Sequence, residues 1–168
     1  MALTLDATVS GATSNSYCTQ ASCSPFLEPQ IKIWGTFSSL STADQEASLI
    51  QATSLLDTLV SWVGTKETDK QALRWPRTSA VDVDGYAIDD DTHPIWLQRA
   101  TANFAWFLSQ SNRTEDSDTF GFKSLKAGSL AMVIDKYDRI PTMPSIVWAI
   151  VKPYGTKMDS IPRTLERK

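Results

Sequence analysis

The sequence predicts a mainly α fold: a small helical bundle with a long central amphipathic helix, a β-hairpin insertion, and extended N- and C-terminal arms. Three observations carry this. Leu49, Ala52, Leu56, Leu59 and Val63 recur at steps of three and four, with Leu55 and Trp62 widening the stripe, which is the period of one helix face. A second helical pattern follows Pro94, and from Phe120 to Asp135 the period drops to two.

Taken in order, residues 1–16 are rich in Thr, Ser, Ala and Gly, with Leu3, Leu5 and Val9 alternating against polar neighbours, and are expected to form an extended arm. Such an arm must pair along its own domain or lie on a neighbouring subunit. Residues 17–154 make up the domain proper. A short helix is expected near Tyr17–Leu27 with Thr19 as its cap, cut early by Pro25. Ile31, Ile33, Trp34, Phe37 and Leu40, split by Gly35, are expected as an apolar loop.

The long helix has start signals in Thr42 and Gln45, which fit a capping box, and in the acids Asp44 and Glu46 beside the positive end of the helix dipole. Its expected stop is Gly64, after roughly 20 residues or about 30 Å. Beyond a charged turn at residues 65–70, Pro76 bars Trp75 from the helical region and gives the indole a fixed direction. Trp75, Pro76, Arg77 and Trp62 are therefore expected as structural anchors. Residues 81–91 read as a small hairpin turning at Asp84-Gly85.

Asp91 or Thr92 should cap the second helix, with Pro94 in its first turn and its end near Ser109. Leu97, Ala100, Phe104, Phe107 and Leu108 share one side; Ile95, Ala102 and Trp106 lie on the other and are candidates for a subunit interface. Residues 111–118 form a polar, acidic loop before the hairpin at about 120–135. Ser145 is expected to cap a short helix stopped by Pro153-Tyr154-Gly155, leaving residues 155–168 as a basic C-terminal tail. Lys157, Ile161, Arg163, Leu165, Arg167 and Lys168 are its candidate docking residues.

Composition narrows the function. A chain of 168 residues with 42% hydrophobic and 21% charged residues reads as one globular domain, and no apolar run reaches the roughly 20 residues of a membrane span. No basic flank of a signal peptide opens the sequence, so a soluble, cytoplasmically made protein is expected, with no membrane partner. A formal charge of −3 argues against a dedicated nucleic-acid binder while leaving room for a local basic patch. Cys18 and Cys23 are the only cysteines and are expected as reduced, packed apolar residues.

Catalytic and metal chemistry find little support. Asp82, Asp84 and Gly85 suggest a calcium loop, but placing Gly85 sixth puts Ala80 first, where an acid is needed, and Ile88 one place late. His93 lacks a sequence-placed partner or nucleophile and reads as a helix-entry residue. No cofactor is implied, and no enzyme is expected. The tryptophans read as packing residues rather than base-stacking ones.

The order Ser14-Asn15-Ser16-Tyr17, Ala47 to Thr53 with Leu55-Leu56-Asp57, Gln71-Ala72-Leu73-Arg74-Trp75-Pro76-Arg77, Asp84-Gly85-Tyr86-Ala87-Ile88 and Pro94 resembles a family of tailed-bacteriophage head-to-tail connector, or adaptor, proteins. Ala127-Gly128-Ser129-Leu130 and Pro153-Tyr154-Gly155 fit the same layout. Similar sequences have also been labelled DnaT-like single-stranded DNA-binding proteins. The connector resemblance implies a structural virion protein at the head-tail interface. Its subunits would form a ring, a dodecamer, under the portal protein, extend the DNA channel without sequence-specific binding, and dock a tail-side protein. The alternatives are a DnaT-like single-stranded DNA binder, or another head-completion or tail-terminator protein.

Overall fold

A computed structural model describes residues 4–115, 124–127, 130–133 and 141–158. Within them the chain is mainly α, with five helices and three two-stranded antiparallel ribbons. The helices are α1 (Gln20–Leu27), α2 (Ile31–Ser38), α3 (Thr42–Leu59), α4 (Ile95–Gln110) and α5 (Ser145–Val151). Strands β1 (Val60–Trp62) and β6 (Gly155–Lys157), β2 (Thr65–Lys66) and β3 (Arg77–Thr78), and β4 (Ser124–Ala127) and β5 (Leu130–Val133) form the pairs.

The bundle is centred on α4 rather than α3. Helices α1, α2, α3 and α5 all pack against α4. That explains its two apolar sides: Leu97, Ala100, Ala102, Phe104, Ala105 and Leu108 are all buried, as an all-round apolar helix must be. Ala102 is covered by its own chain and is thus excluded as a subunit contact. Of its proposed companions, Trp106 is half-buried against Phe107 at 4.6 Å and Ile95 stands 72% exposed.

Several local expectations are corrected. Ser41, not Thr42, caps α3, its hydroxyl accepting from the Asp44 amide at 3.2 Å. The helix ends at Leu59, five residues before Gly64, because Val60 turns extended and its neighbours pair with Gly155–Lys157. Trp62 therefore sits on a strand. Gly64 instead makes the tight turn into β2, at φ 72°, where a Cβ would come within 2.5 Å of the Thr78 carbonyl.

The segment expected as an apolar loop is helix α2, whose Phe37 is buried while Ile33 and Trp34 pack beside the core. Pro25 does not cut α1, which runs on to Leu27 and is capped by Thr19 and Ser22 as a reciprocal pair. Cys18 and Cys23 are joined by a disulfide instead of standing reduced. Helices α4 and α5 are entered from Pro94 and Pro144, with no side-chain cap from Asp91 or Thr92, and Ser145 is the first residue of α5.

Both ends of the described chain are built into the domain. Residues 4–16 fold back on themselves: the Asp6 amide donates to Asn15 Oδ1 at 2.8 Å, and the Asn15 amide returns to the Asp6 carbonyl at 2.8 Å. This loop is tied to the segment after β2 by the Ala72 amide donating to the Gly11 carbonyl at 3.0 Å. At the other end, Gly155–Lys157 are a paired strand, so the domain continues past Tyr154. Lys157 lies in β6 with its ammonium 5.0 Å from the Trp148 ring centre; Ile161, Arg163, Leu165, Arg167 and Lys168 lie outside the described residues, as do residues 116–118 of the expected 111–118 loop. In the expected hairpin, the β4–β5 register pairs Ser124 with Val133 and Ala127 with Leu130.

Candidate nucleic-acid interface

The site begins with an aspartate on the long helix. Thr53 and Asp57 are one turn apart on α3, and Tyr17 lies along that edge: its amide donates to Thr53 Oγ1 at 3.2 Å and its hydroxyl donates to Asp57 Oδ1. The same carboxylate oxygen accepts from Trp62 Nε1 at 3.3 Å, and Oδ2 accepts from the Arg74 amide at 3.0 Å. One carboxylate thus clamps four parts of the chain, namely the entry to α1, α3, β1 and the loop before β3.

Burial pushes the Asp57 carboxyl above its ordinary range, against the opposing pull of these three donors and of the nearby Arg74 charge. The Tyr17 phenol is held well above its ordinary value, first by burial and then by the Asp57 carboxylate. The phenol, the indole N–H and the Arg74 amide converge on one carboxylate, so Asp57 acts as a clamp.

Trp75 is fully buried next to this clamp, edge-on to Trp62 at 6.0 Å and to Trp96 at 5.2 Å. Trp96 in turn stacks on Tyr154 at 3.8 Å, carrying the aromatic column toward the surface. The Trp75-Pro76 peptide is cis. Arg77 is a brace: its guanidinium donates to the carbonyls of Val63, Gly64 and Arg74, holding the β1–β2 turn against β3. Gln71 does similar work inside the loop, donating from Nε2 to the carbonyls of Leu73 and Pro76.

His93 belongs to the same assembly. It is buried, its Nδ1 lies 3.0 Å from the Tyr17 carbonyl, and its ring meets the Tyr17 ring edge-on at 5.2 Å. A carbonyl only accepts, so Nδ1 carries the proton and Nε2 is a buried acceptor with no hydrogen-bond partner among the described residues. Burial lowers the imidazole pKa.

Over the clamp opens a groove of about 730 Å³. Ile50, Ser54, Asp57 and Thr58 of α3 form one wall, and Ala72, Leu73, Arg74 and Arg77 form the other, with Lys66 and Asn15 at the edges. Three cations surround it. Among the described residues Lys66 and Arg77 bond neutral carbonyls, Lys66 Nζ reaching that of Gln71 at 3.0 Å, so their charge is not cancelled by those contacts. Asp57, the one acid in the lining, has its oxygens engaged by the clamp. The groove therefore offers positive charge with apolar surface at Ile50 and Leu73 and, among the described residues that line it, no ring on which a base could stack.

The anchors Trp62, Trp75, Pro76 and Arg77 come together here. Asp57, the carboxylate that organises them, stands in the sequence only as part of the resemblance motif Leu55-Leu56-Asp57, with no role assigned, although an acid set among Leu55, Leu56 and Leu59 is a visible signal. Among the described residues, no group of three His, Cys, Asp or Glu side chains could hold a metal ion. Nor is any described helix long and apolar enough to cross a membrane.

Comparison with curated proteins and with solved structures returned no match. The family model described as "Putative DnaT-like ssDNA binding protein" matches residues 1–167. With the match spanning nearly the whole chain, this protein belongs to the DnaT-like ssDNA-binding protein family.

Proposed function

We propose that this protein acts by binding rather than by catalysis, and that it binds single-stranded DNA through the sugar-phosphate backbone, in the groove between α3 and the Gln71–Arg77 loop. The supporting observation is the gathering of Lys66, Arg74 and Arg77 around one open groove in a chain whose formal charge is −3. Phosphates seek such a local patch even when the whole protein is acidic. Because the lining lacks aromatic rings, the binding is tolerant of base sequence and strongly salt-dependent. Anisotropy of a labelled oligothymidylate tests this. Three neutralised phosphates give a slope of log K against log salt of about −2, and Arg74→Glu should weaken binding by about tenfold or more at low salt. Wild-type binding that ignores salt, or an Arg74→Glu protein that binds as tightly as wild type, refutes the assignment.

A second reading is favoured by the exposed apolar side chains of Val83, Tyr86 and Ile95, which suit contacts between proteins. In that reading the chain is a head-to-tail connector subunit at the virion's head-tail interface, made in the host cytoplasm. Copies form a dodecameric ring under the portal protein, dock a tail-side protein and pass DNA through the channel without reading its sequence. The residues that follow Lys157 provide the docking tail. Co-sedimentation with purified portal rings separates this reading from the first. A chain that sediments alone at tens of micromolar subunit argues against it.

A further inference from the structure

The stretch between Val81 and Ala87 is a stiff finger. Val81 and Ala87 bridge antiparallel, the Ile88 amide donates to the Ala80 carbonyl at 2.9 Å, and the Asp82 amide donates to the Tyr86 carbonyl at 2.8 Å. At the tip, Asp82 Oδ1 accepts from the amides of Asp84 and Tyr86 at 2.9 and 2.8 Å, closing the turn from within. A loop so tied up has a fixed shape, yet it presents Val83 at 69% and Tyr86 at 74% exposure. Between them stands the exposed carboxylate of Asp84, and from Thr78 to Gln98 the sequence holds five acids and no lysine or arginine.

The groove is the finger's complement. Its lining combines the apolar Ile50 and Leu73 with the cations Lys66, Arg74 and Arg77, while the finger combines the apolar Val83 and Tyr86 with the acids Asp82 and Asp84. Within its own molecule the finger contributes none of the described residues that line the groove. A finger and a matching groove at different places on one chain make a heterologous contact, which joins copies head to tail.

We infer that the groove of one copy receives the acidic, apolar-tipped finger of a second copy of this chain. Opposite charge steers and registers the approach, and burial of Val83 and Tyr86 holds it. The inference shares the groove with the DNA reading but does not depend on it. Where both hold, single-stranded DNA and the neighbouring finger compete for the same cations.

The test uses the full chain and two variants. Asp84→Lys/Tyr86→Ser alters only exposed tip side chains and disables the finger; Arg74→Glu reverses a groove charge while leaving the backbone amide on Asp57. Near-ultraviolet circular dichroism of the tryptophan core checks that each variant is folded. In analytical ultracentrifugation at low salt, the wild type should associate with a constant that falls by about tenfold or more between 0.05 and 0.5 M salt. Each variant alone should be monomeric. Their mixture should form a 1:1 heterodimer, because one partner still has a finger and the other a groove. A monomeric wild type at the highest soluble concentration, variants that associate like wild type, or a mixture that stays monomeric each overturns the inference. Adding oligothymidylate separates the two readings: dispersal of wild-type oligomers supports a shared groove, whereas oligomers unchanged by DNA that binds elsewhere, or not at all, sink the DNA reading and leave the contact standing.

Discussion

Replacing Asp57 by alanine should be among the most damaging single changes on the polar side of the core. In the folded chain the carboxylate accepts from the Tyr17 hydroxyl, from Trp62 Nε1 at 3.3 Å and from the Arg74 amide at 3.0 Å. Alanine removes all three acceptor contacts at once. Each buried donor left without a partner costs about 1–3 kcal/mol, and relief from burying a charge offsets part of the sum. A net loss of about 3–5 kcal/mol is expected, which for a domain of this size lowers the thermal midpoint by roughly 6–20 °C. Differential scanning calorimetry at pH 7 measures it. Asp57→Asn retains a carbonyl oxygen for the Tyr17 and Trp62 donors and should lose markedly less.

The pH dependence supplies a second signature. Burial raises the folded carboxyl pKa above that of the unfolded chain, so between the two values the folded state holds more protons. The contribution of this group to stability is therefore greatest below the ordinary carboxylate range and declines as pH rises through the raised folded value. The wild type minus Asp57→Asn difference in stability should move in that direction across the window and flatten on either side. A midpoint shift under about 2 °C for Asp57→Ala would refute the clamp, and so would a pH-independent difference between wild type and Asp57→Asn.

Three further expectations concern its surroundings. Trp75→Ala should cost about 3–5 kcal/mol, because the ring is wholly buried between Trp62 and Trp96; an unchanged unfolding midpoint in urea would contradict the packing. Gly155→Ala should cost about 1–3 kcal/mol, since the added Cβ would sit 2.5 Å from Val60 Cγ1 and 2.8 Å from the Ser61 carbonyl, and a melt equal to wild type would mean that β1 and β6 are not paired this closely. His93 has a depressed folded pKa, so the unfolded chain takes up its proton first: stability should fall as pH drops below about 6.5 and level off below the folded value. His93→Phe should abolish that slope in melts between pH 5 and 7; an identical slope in the variant would assign it to another group.

The long helix was legible because its signal is local. Leu49, Ala52 and Leu56 repeat at the helical period, and each is buried as that period requires. Thr19 as a cap, the turn at Asp84-Gly85 and the alternation around the β4–β5 hairpin were legible for the same reason: neighbouring residues decide them. What failed depended on distant partners. Val60–Trp62 continue the apolar stripe of α3 and read as helix, yet they become a strand because Gly155–Lys157 arrive from almost 100 residues away and offer backbone hydrogen bonds. The exchange works because Gly155 has no Cβ to strike Val60. Ile31–Ser38 reads as a loop around Gly35, and becomes a helix because tertiary packing of Phe37, Ile33 and Trp34 outweighs a weak local propensity. The two-sided α4 could have been covered by another copy, and only the packing of α1, α2, α3 and α5 around it decided that its own chain does so. The groove is the extreme case. Arg74 and Arg77 beside Trp75 were legible as a local basic cluster, but only a carboxylate on α3, gripping a tyrosine before α1, a tryptophan on β1 and the amide of Arg74, folds the loop so that these two charges and Lys66 border one opening.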